Sequence, residues 1–174
     1  MCPVFELIFL WSPVVAEQSM RLSPQELLGI LTNFGESDVR NFQDRLRLQK
    51  IVCLLQGLGV PLGYKFSWYF HGPYSRDLAR DMFRGQGPKH QTRTLRFTDP
   101  QYETILRRAM SMVGRVDTRG LELLASLYYL SAKELPELGR EQLLEELVKR
   151  KPKFTLEEAS GAWQVLQSYD LVSR

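Results

Sequence analysis

The sequence is poor in the residues that usually announce chemistry. Among its 174 residues are two cysteines, Cys2 and Cys53, too far apart to form a metal-ligand spacing or a redox pair. A reduced, cytoplasmic interior is the expected setting. The two histidines, His71 and His90, make no zinc-ligand pair at helical spacing. No phosphate-cradling glycine loop and no nucleophile-elbow motif is present. Long apolar runs are missing too. The opening Phe5–Leu10 is too short to span a bilayer. It also lacks the marks of a secretory signal, because no Lys or Arg precedes it, Glu6 interrupts it and Arg21 comes far too late. No metal, cofactor or membrane partner is therefore expected.

What remains is an ordinary globular composition, 44 % hydrophobic and 25 % charged, with no low-complexity tract and no internal repeat. The length suits one domain core. A net charge of +3 allows an acidic partner without demanding one. Residues 1–19 read either as an extra docking segment or as an upstream extension with the natural start at Met20. Residues 20–174 read as a single compact domain, with a helix and ribbon part over 20–115 and a helical part over 116–174.

The organising stretch is Tyr64–Gly85. Tyr64, Phe66, Trp68 and Phe70 alternate with Lys65, Ser67, Tyr69 and His71, the period of a half-buried strand. His71-Gly72-Pro73-Tyr74-Ser75 is expected to break it, since Pro73 cannot extend a ladder and Ser75 is a good helix cap. Leu78, Ala79, Met82 and Phe83 then follow at helical spacing.

On either side the pattern is helical. Ser23-Pro24-Gln25-Glu26 reads as a capping box, and a helix over about 41–58 has the stripe Leu48, Ile51, Val52, Leu55 and Leu58. In that helix Arg45, Arg47, Gln49 and Lys50 read as polar positions around the stripe. Thr92–Thr98 alternates and is expected to pair with Tyr64–Phe70 in a small antiparallel ribbon. Asp99-Pro100 opens a helix, and three more follow Asp117, the last capped by Thr155 with Leu156, Ala159, Trp163 and Leu166 toward the core. The fold class expected is mainly α (α+β), a helical bundle with a β-ribbon and a helix-turn-helix-like C-terminal segment.

Three sites compete. Arg76, Arg80 and Arg84 stack along one helix side, and Lys89, Arg93 and Arg96 follow, so a basic patch for phosphate or a partner's carboxylates is conceivable. The competing account is a solvated face with Asp77 and Asp81 partly neutralising it. The last helix is a poor reader of DNA, because Glu157 and Glu158 occupy its first turn and the basic cluster Lys149, Arg150, Lys151 and Lys153 precedes it. His71 lacks a nucleophile or carboxylate with a recognisable role, so His71 and Tyr74 read as holders of the turn.

Leu48-Gln49-Lys50-Ile51-Val52-Cys53-Leu54-Leu55, the aromatic strand, and His71-Gly72-Pro73-Tyr74-Ser75 with Leu78 together resemble the pattern of the YwgA-like and SocA-like proteins, which belong with the Panacea antitoxin domains. Lys151-Pro152-Lys153-Phe154-Thr155 with Leu156–Leu166 is similar to that family's closing segment. The resemblance implies a compact, mostly helical cytoplasmic protein without a known catalytic site. Some members act as antitoxins that bind a toxin or as adaptors that hand it to a protease, and many have no assigned role. The expected function is accordingly a non-enzymatic module that binds a partner protein, with a nucleic-acid-binding regulator using the basic patch as the alternative.

Overall fold

The computed structural model describes residues 41–84, 100–114 and 116–172. The leader, the helix expected after Ser23, the strand expected at Thr92–Thr98 and the cap Asp99 lie outside the described residues.

Helix α1 (Phe42–Gly57) starts at Asn41, whose side chain accepts a hydrogen bond from the Gln43 amide at 2.8 Å. A short hairpin follows, β1 (Ser67–Tyr69) and β2 (Gly72–Tyr74). Then come α2 (Arg76–Arg84), α3 (Pro100–Val113) and α4 (Thr118–Tyr129). Helix α4 runs into one π-helical turn, Leu130–Glu134, and α5 (Arg140–Arg150) and α6 (Leu156–Ser168) close the chain. The described protein is mainly helical with one small antiparallel sheet.

Helices α1 and α4 are the central pair. Every residue of α4 from Leu121 to Tyr128 is buried, because α1, the hairpin, α5 and α6 cover it from different sides. Caps are where local chemistry wants them. The Asp117 carboxylate accepts from the Gly120 amide at 2.7 Å. Thr155 and Glu158 form a reciprocal capping box at the start of α6. Arg47, half-buried on α1, donates to the Val113 and Val116 carbonyls and so satisfies the C-terminal end of α3.

The ribbon differs from expectation. The observed partner of β1 is the segment read as its breaker: Ser67 faces Tyr74, Trp68 faces Pro73 and Tyr69 faces Gly72. Pro73 is tolerated because, among the described residues, the sheet has two strands and its missing N–H lies on an edge. Gly72 makes the reversal possible. Its φ is +81°, whereas neither Phe70 nor His71 has a positive φ, the arrangement of a turn closed by a left-handed glycine. The alternation breaks at its end as well. Tyr64 is buried and Phe66 and Trp68 are half-buried, but Phe70 is 83 % exposed at the hairpin tip. Leu156, expected in the core, is 52 % exposed, while Ala159, Trp163 and Leu166 are buried.

Candidate functional site

The hairpin is held by side chains that bond to its backbone. The Gln49 amide donates to the Ser75 carbonyl and accepts from the Ser75 amide, both at 2.9 Å, so that one side chain imitates a ladder rung. Two turns further along α1, Gln56 does the same with Tyr64 at 2.9 and 2.8 Å. Between them the Lys50 ammonium donates to the Pro73 carbonyl at 2.6 Å. From the other side, Tyr129 donates its hydroxyl proton to the Phe66 carbonyl at 3.1 Å, and Lys151 donates to the Phe70 carbonyl at 3.0 Å. A segment with a three-residue ladder could not hold its shape alone. These side chains replace the strands it lacks.

Gln49 and Lys50 were expected at polar positions around the apolar stripe. They are instead 1 % and 0 % exposed. Burial favours the neutral amine and lowers the Lys50 pKa to about 8. The cost is tolerable because the Pro73 carbonyl, which no β-ladder partner reaches on that side, needs a donor.

Helix α4 supplies the floor. Gly72 packs directly on Ser126, where a Cβ would stand 2.2 Å from the serine Oγ. One turn earlier, Glu122 is 3 % exposed and receives Lys151 at 2.6 Å and Lys153 at 2.8 Å. His71 Nδ1 lies 3.6 Å from the same carboxylate. Burial raises the Glu122 pKa, but the two lysine hydrogen bonds outweigh it and hold the group below the ordinary carboxylate value. Glu122 and Ser126, four residues apart, thus form one polar strip on an otherwise apolar helix.

The expected motif residues therefore converge: Leu48, Gln49 and Lys50 on α1 meet Gly72, Pro73 and Ser75, while His71 and Tyr74 flank the turn. Ser75 caps α2, accepting from the Leu78 amide at 3.3 Å. Of the expected basic patch, Arg76 and Arg80 lie wholly among the described residues. Arg76 and Arg80 are exposed, and Arg80 pairs with Asp77 at 3.0 Å. The side chain of Arg84, and Lys89, Arg93 and Arg96 altogether, lie outside the described residues. The C-terminal basic cluster is engaged internally, Arg150 with Glu134 and Glu146, and Lys151 and Lys153 with Glu122.

Sequence reasoning missed Glu122, Ser126 and Gln56. The signal available was a lone carboxylate inside the apolar run Leu121–Leu127, and two glutamines seven residues apart on one helix.

Outside this clamp lies an aromatic face. Phe42, Tyr69, Phe70 and Phe83 are each more than half exposed. The His71 ring joins two of them, edge-on to Phe70 at 5.0 Å and to Phe42 at 5.8 Å between centroids. Tyr69 leans on Tyr74 at 5.6 Å. An apolar cavity of about 300 Å³ opens on one side of the hairpin, between α1 and α2. A shallower one of about 610 Å³ opens on the other, with Trp68, Phe70 and Glu122 in its walls. The Cys53 thiol on α1 is buried, which pushes its pKa up to about 12, far from thiolate reactivity. Among the described residues no group of three His, Cys, Asp or Glu side chains is arranged to hold a metal ion, and no helix is long and apolar enough to cross a membrane.

No family model, curated protein or solved structure matches the chain.

Proposed function

We propose that the protein is a non-enzymatic interaction module of the SocA-like and YwgA-like kind, acting in the cytoplasm as an antitoxin or a proteolytic adaptor that binds a partner protein. One observation carries the reading. Of the six large apolar residues exposed among the described residues, Phe42, Tyr69, Phe70 and Phe83 stand around one hairpin tip. A contiguous exposed aromatic face is what a protein partner covers, and aromatic anchors contribute most of the affinity at such faces. The backbone clamp beneath supports it further, because a hairpin held in one geometry loses little conformational freedom on binding. The polar side chains that surround the hairpin, Gln49, Lys50, Gln56, Tyr129 and Lys151, are occupied in holding its backbone, which suits a scaffold better than a catalytic centre.

The test is co-expression with the products of adjacent genes, followed by affinity measurement on the captured pair with a Tyr69→Ser, Phe70→Ser double variant. The variant should melt within about 2 °C of the parent, since exposed positions contribute little to stability. It should bind its partner at least about tenfold more weakly. Unchanged affinity in the folded variant, or no partner among the adjacent products, defeats the reading.

A further inference from the structure

His71 sits where the aromatic face meets the buried carboxylate of the clamp. Its ring stands edge-on to Phe70 at 5.0 Å and to Phe42 at 5.8 Å, and so bridges the hairpin tip to the start of α1. On its inner side Nδ1 lies 3.6 Å from Glu122 Oε2. That separation is too long for a hydrogen bond and short enough for a strong attraction once the ring carries a charge. The imidazole is 37 % exposed, so water can deliver the proton, whereas Glu122 is buried. Glu122 is also held below the ordinary carboxylate value, so it stays ionised across about pH 5 to 8, where a histidine changes charge.

The two oxygens of Glu122 are held differently. Oε1 takes Lys151, which is buried with it and also donates to the Phe70 carbonyl. Oε2 takes the half-exposed Lys153, and this is the oxygen that faces His71. A carboxylate oxygen has room for two donors, and an exposed ammonium gives up its share to water at little cost. The other charged groups among the described residues that line the two cavities beside His71 have partners of their own. Lys50 donates to the Pro73 carbonyl, Arg150 pairs with Glu134 and Glu146, and Arg45 lies over the Phe83 ring at 5.4 Å. Tyr69 and Tyr74 lean on each other, and α2 brings Ala79, Met82 and Phe83.

We propose that His71 and Glu122 form a proton-operated latch that reshapes the aromatic face. On protonation the ring turns inward, Nδ1–H closes from 3.6 Å to about 2.8 Å from Glu122 Oε2, and Lys153 yields its place. The contacts with Phe42 and Phe70 then open. The hairpin backbone stays where it is, because Lys151 keeps the Phe70 carbonyl. On the interaction-module reading, the surface offered to a partner therefore differs with pH.

The full chain, labelled with 15N and 13C and free of any partner, tests the latch by NMR. Nuclear Overhauser contacts from the His71 ring to the Phe42 and Phe70 rings should fall at least about threefold from about pH 7.5 to about pH 5, and a hydrogen-bonded Nδ1–H signal should appear at the lower pH. Lys153→Met, at a half-exposed position, should leave both changes in place, and Glu122→Gln should abolish them. Ring contacts that ignore pH overturn the latch. Their loss without an Nδ1–H signal also overturns it, because the ring has then swung into water. A loss that disappears in Lys153→Met overturns it too, since repulsion by that ammonium and not attraction to Glu122 then moves the ring. So does a full change that survives in Glu122→Gln. Each of these outcomes leaves the interaction-module reading to be decided by the Phe70 variant.

Discussion

The ammonium of Lys50 donates to the carbonyl of Pro73 at 2.6 Å across 23 residues of sequence, with both residues buried. Among the described residues no carboxylate is in contact with it, and a carbonyl dipole holds the positive charge there.

This placement makes stability depend on alkaline pH in a defined direction. The folded Lys50 pKa is about 8 against an unfolded value of 10.5. Folding therefore carries a penalty while the amine is protonated in both states, and the penalty is relieved as pH rises from about 8 toward 10.5. Between pH 7 and 9.5 the parent should gain about 2 kcal/mol relative to Lys50→Met. Urea melts of both proteins at several pH values give the difference, and taking the difference removes other groups that titrate in that range. A difference independent of pH would refute a buried, depressed lysine.

Gly72 should be intolerant of any side chain. Its φ of +81° strains an L-residue, and the added carbon would meet Ser126 Oγ at 2.2 Å. Gly72→Ala should cost about 3 kcal/mol. Ser126 Oγ is buried without a hydrogen-bond partner, so Ser126→Ala alone should stabilise by about 1 kcal/mol. In the double variant the cost of Gly72→Ala should fall by about 1 kcal/mol because the nearest clash is gone, a coupling that a double-mutant cycle measures directly.

Gln49→Leu keeps the apolar volume of α1 but leaves the Ser75 amide buried and unpaired, while the Ser75 carbonyl keeps the Ala79 amide at 3.1 Å. A loss of about 2 kcal/mol is expected. Hydrogen exchange should locate it, with the Ser75 amide losing protection before the amides of α4.

Glu122 supplies acid-side stability. Its pKa is lowered in the folded state, so the stability it contributes is present above the unfolded value of 4.5 and is lost as pH falls through the folded value. Glu122→Gln should remove this acid limb. At pH 7 it should also cost about 3 kcal/mol, because Lys151 keeps its buried charge without the counterion. Denaturant melts between pH 3 and 7 distinguish the two effects.

Much of the architecture was legible locally. The spacing of Leu48, Ile51, Val52 and Leu55 reveals α1, and Thr155 with Glu158 marks the start of α6, because both depend on neighbours within one or two turns. The ribbon was misread because Pro73 was weighed as a strand breaker, whereas its carbonyl and not its absent N–H is what the fold uses. The face at the hairpin tip was half visible. Phe70 was recognised as aromatic, but a strict period of two assigned it to the core.

By itself the sequence determined where the described helices run, where most of them are capped and, Leu156 apart, which aliphatic residues of their stripes face inward, since those follow from periodicity and from hydrogen bonds a few residues long. Tertiary structure alone decided that Gln49, Gln56, Lys50 and Glu122 belong inside and that four aromatic rings belong outside. A polar side chain is stable in the interior only where a backbone group or opposite charge meets it. Here those partners arrive from 8 to 31 positions away, a pairing that exists only after the chain has folded.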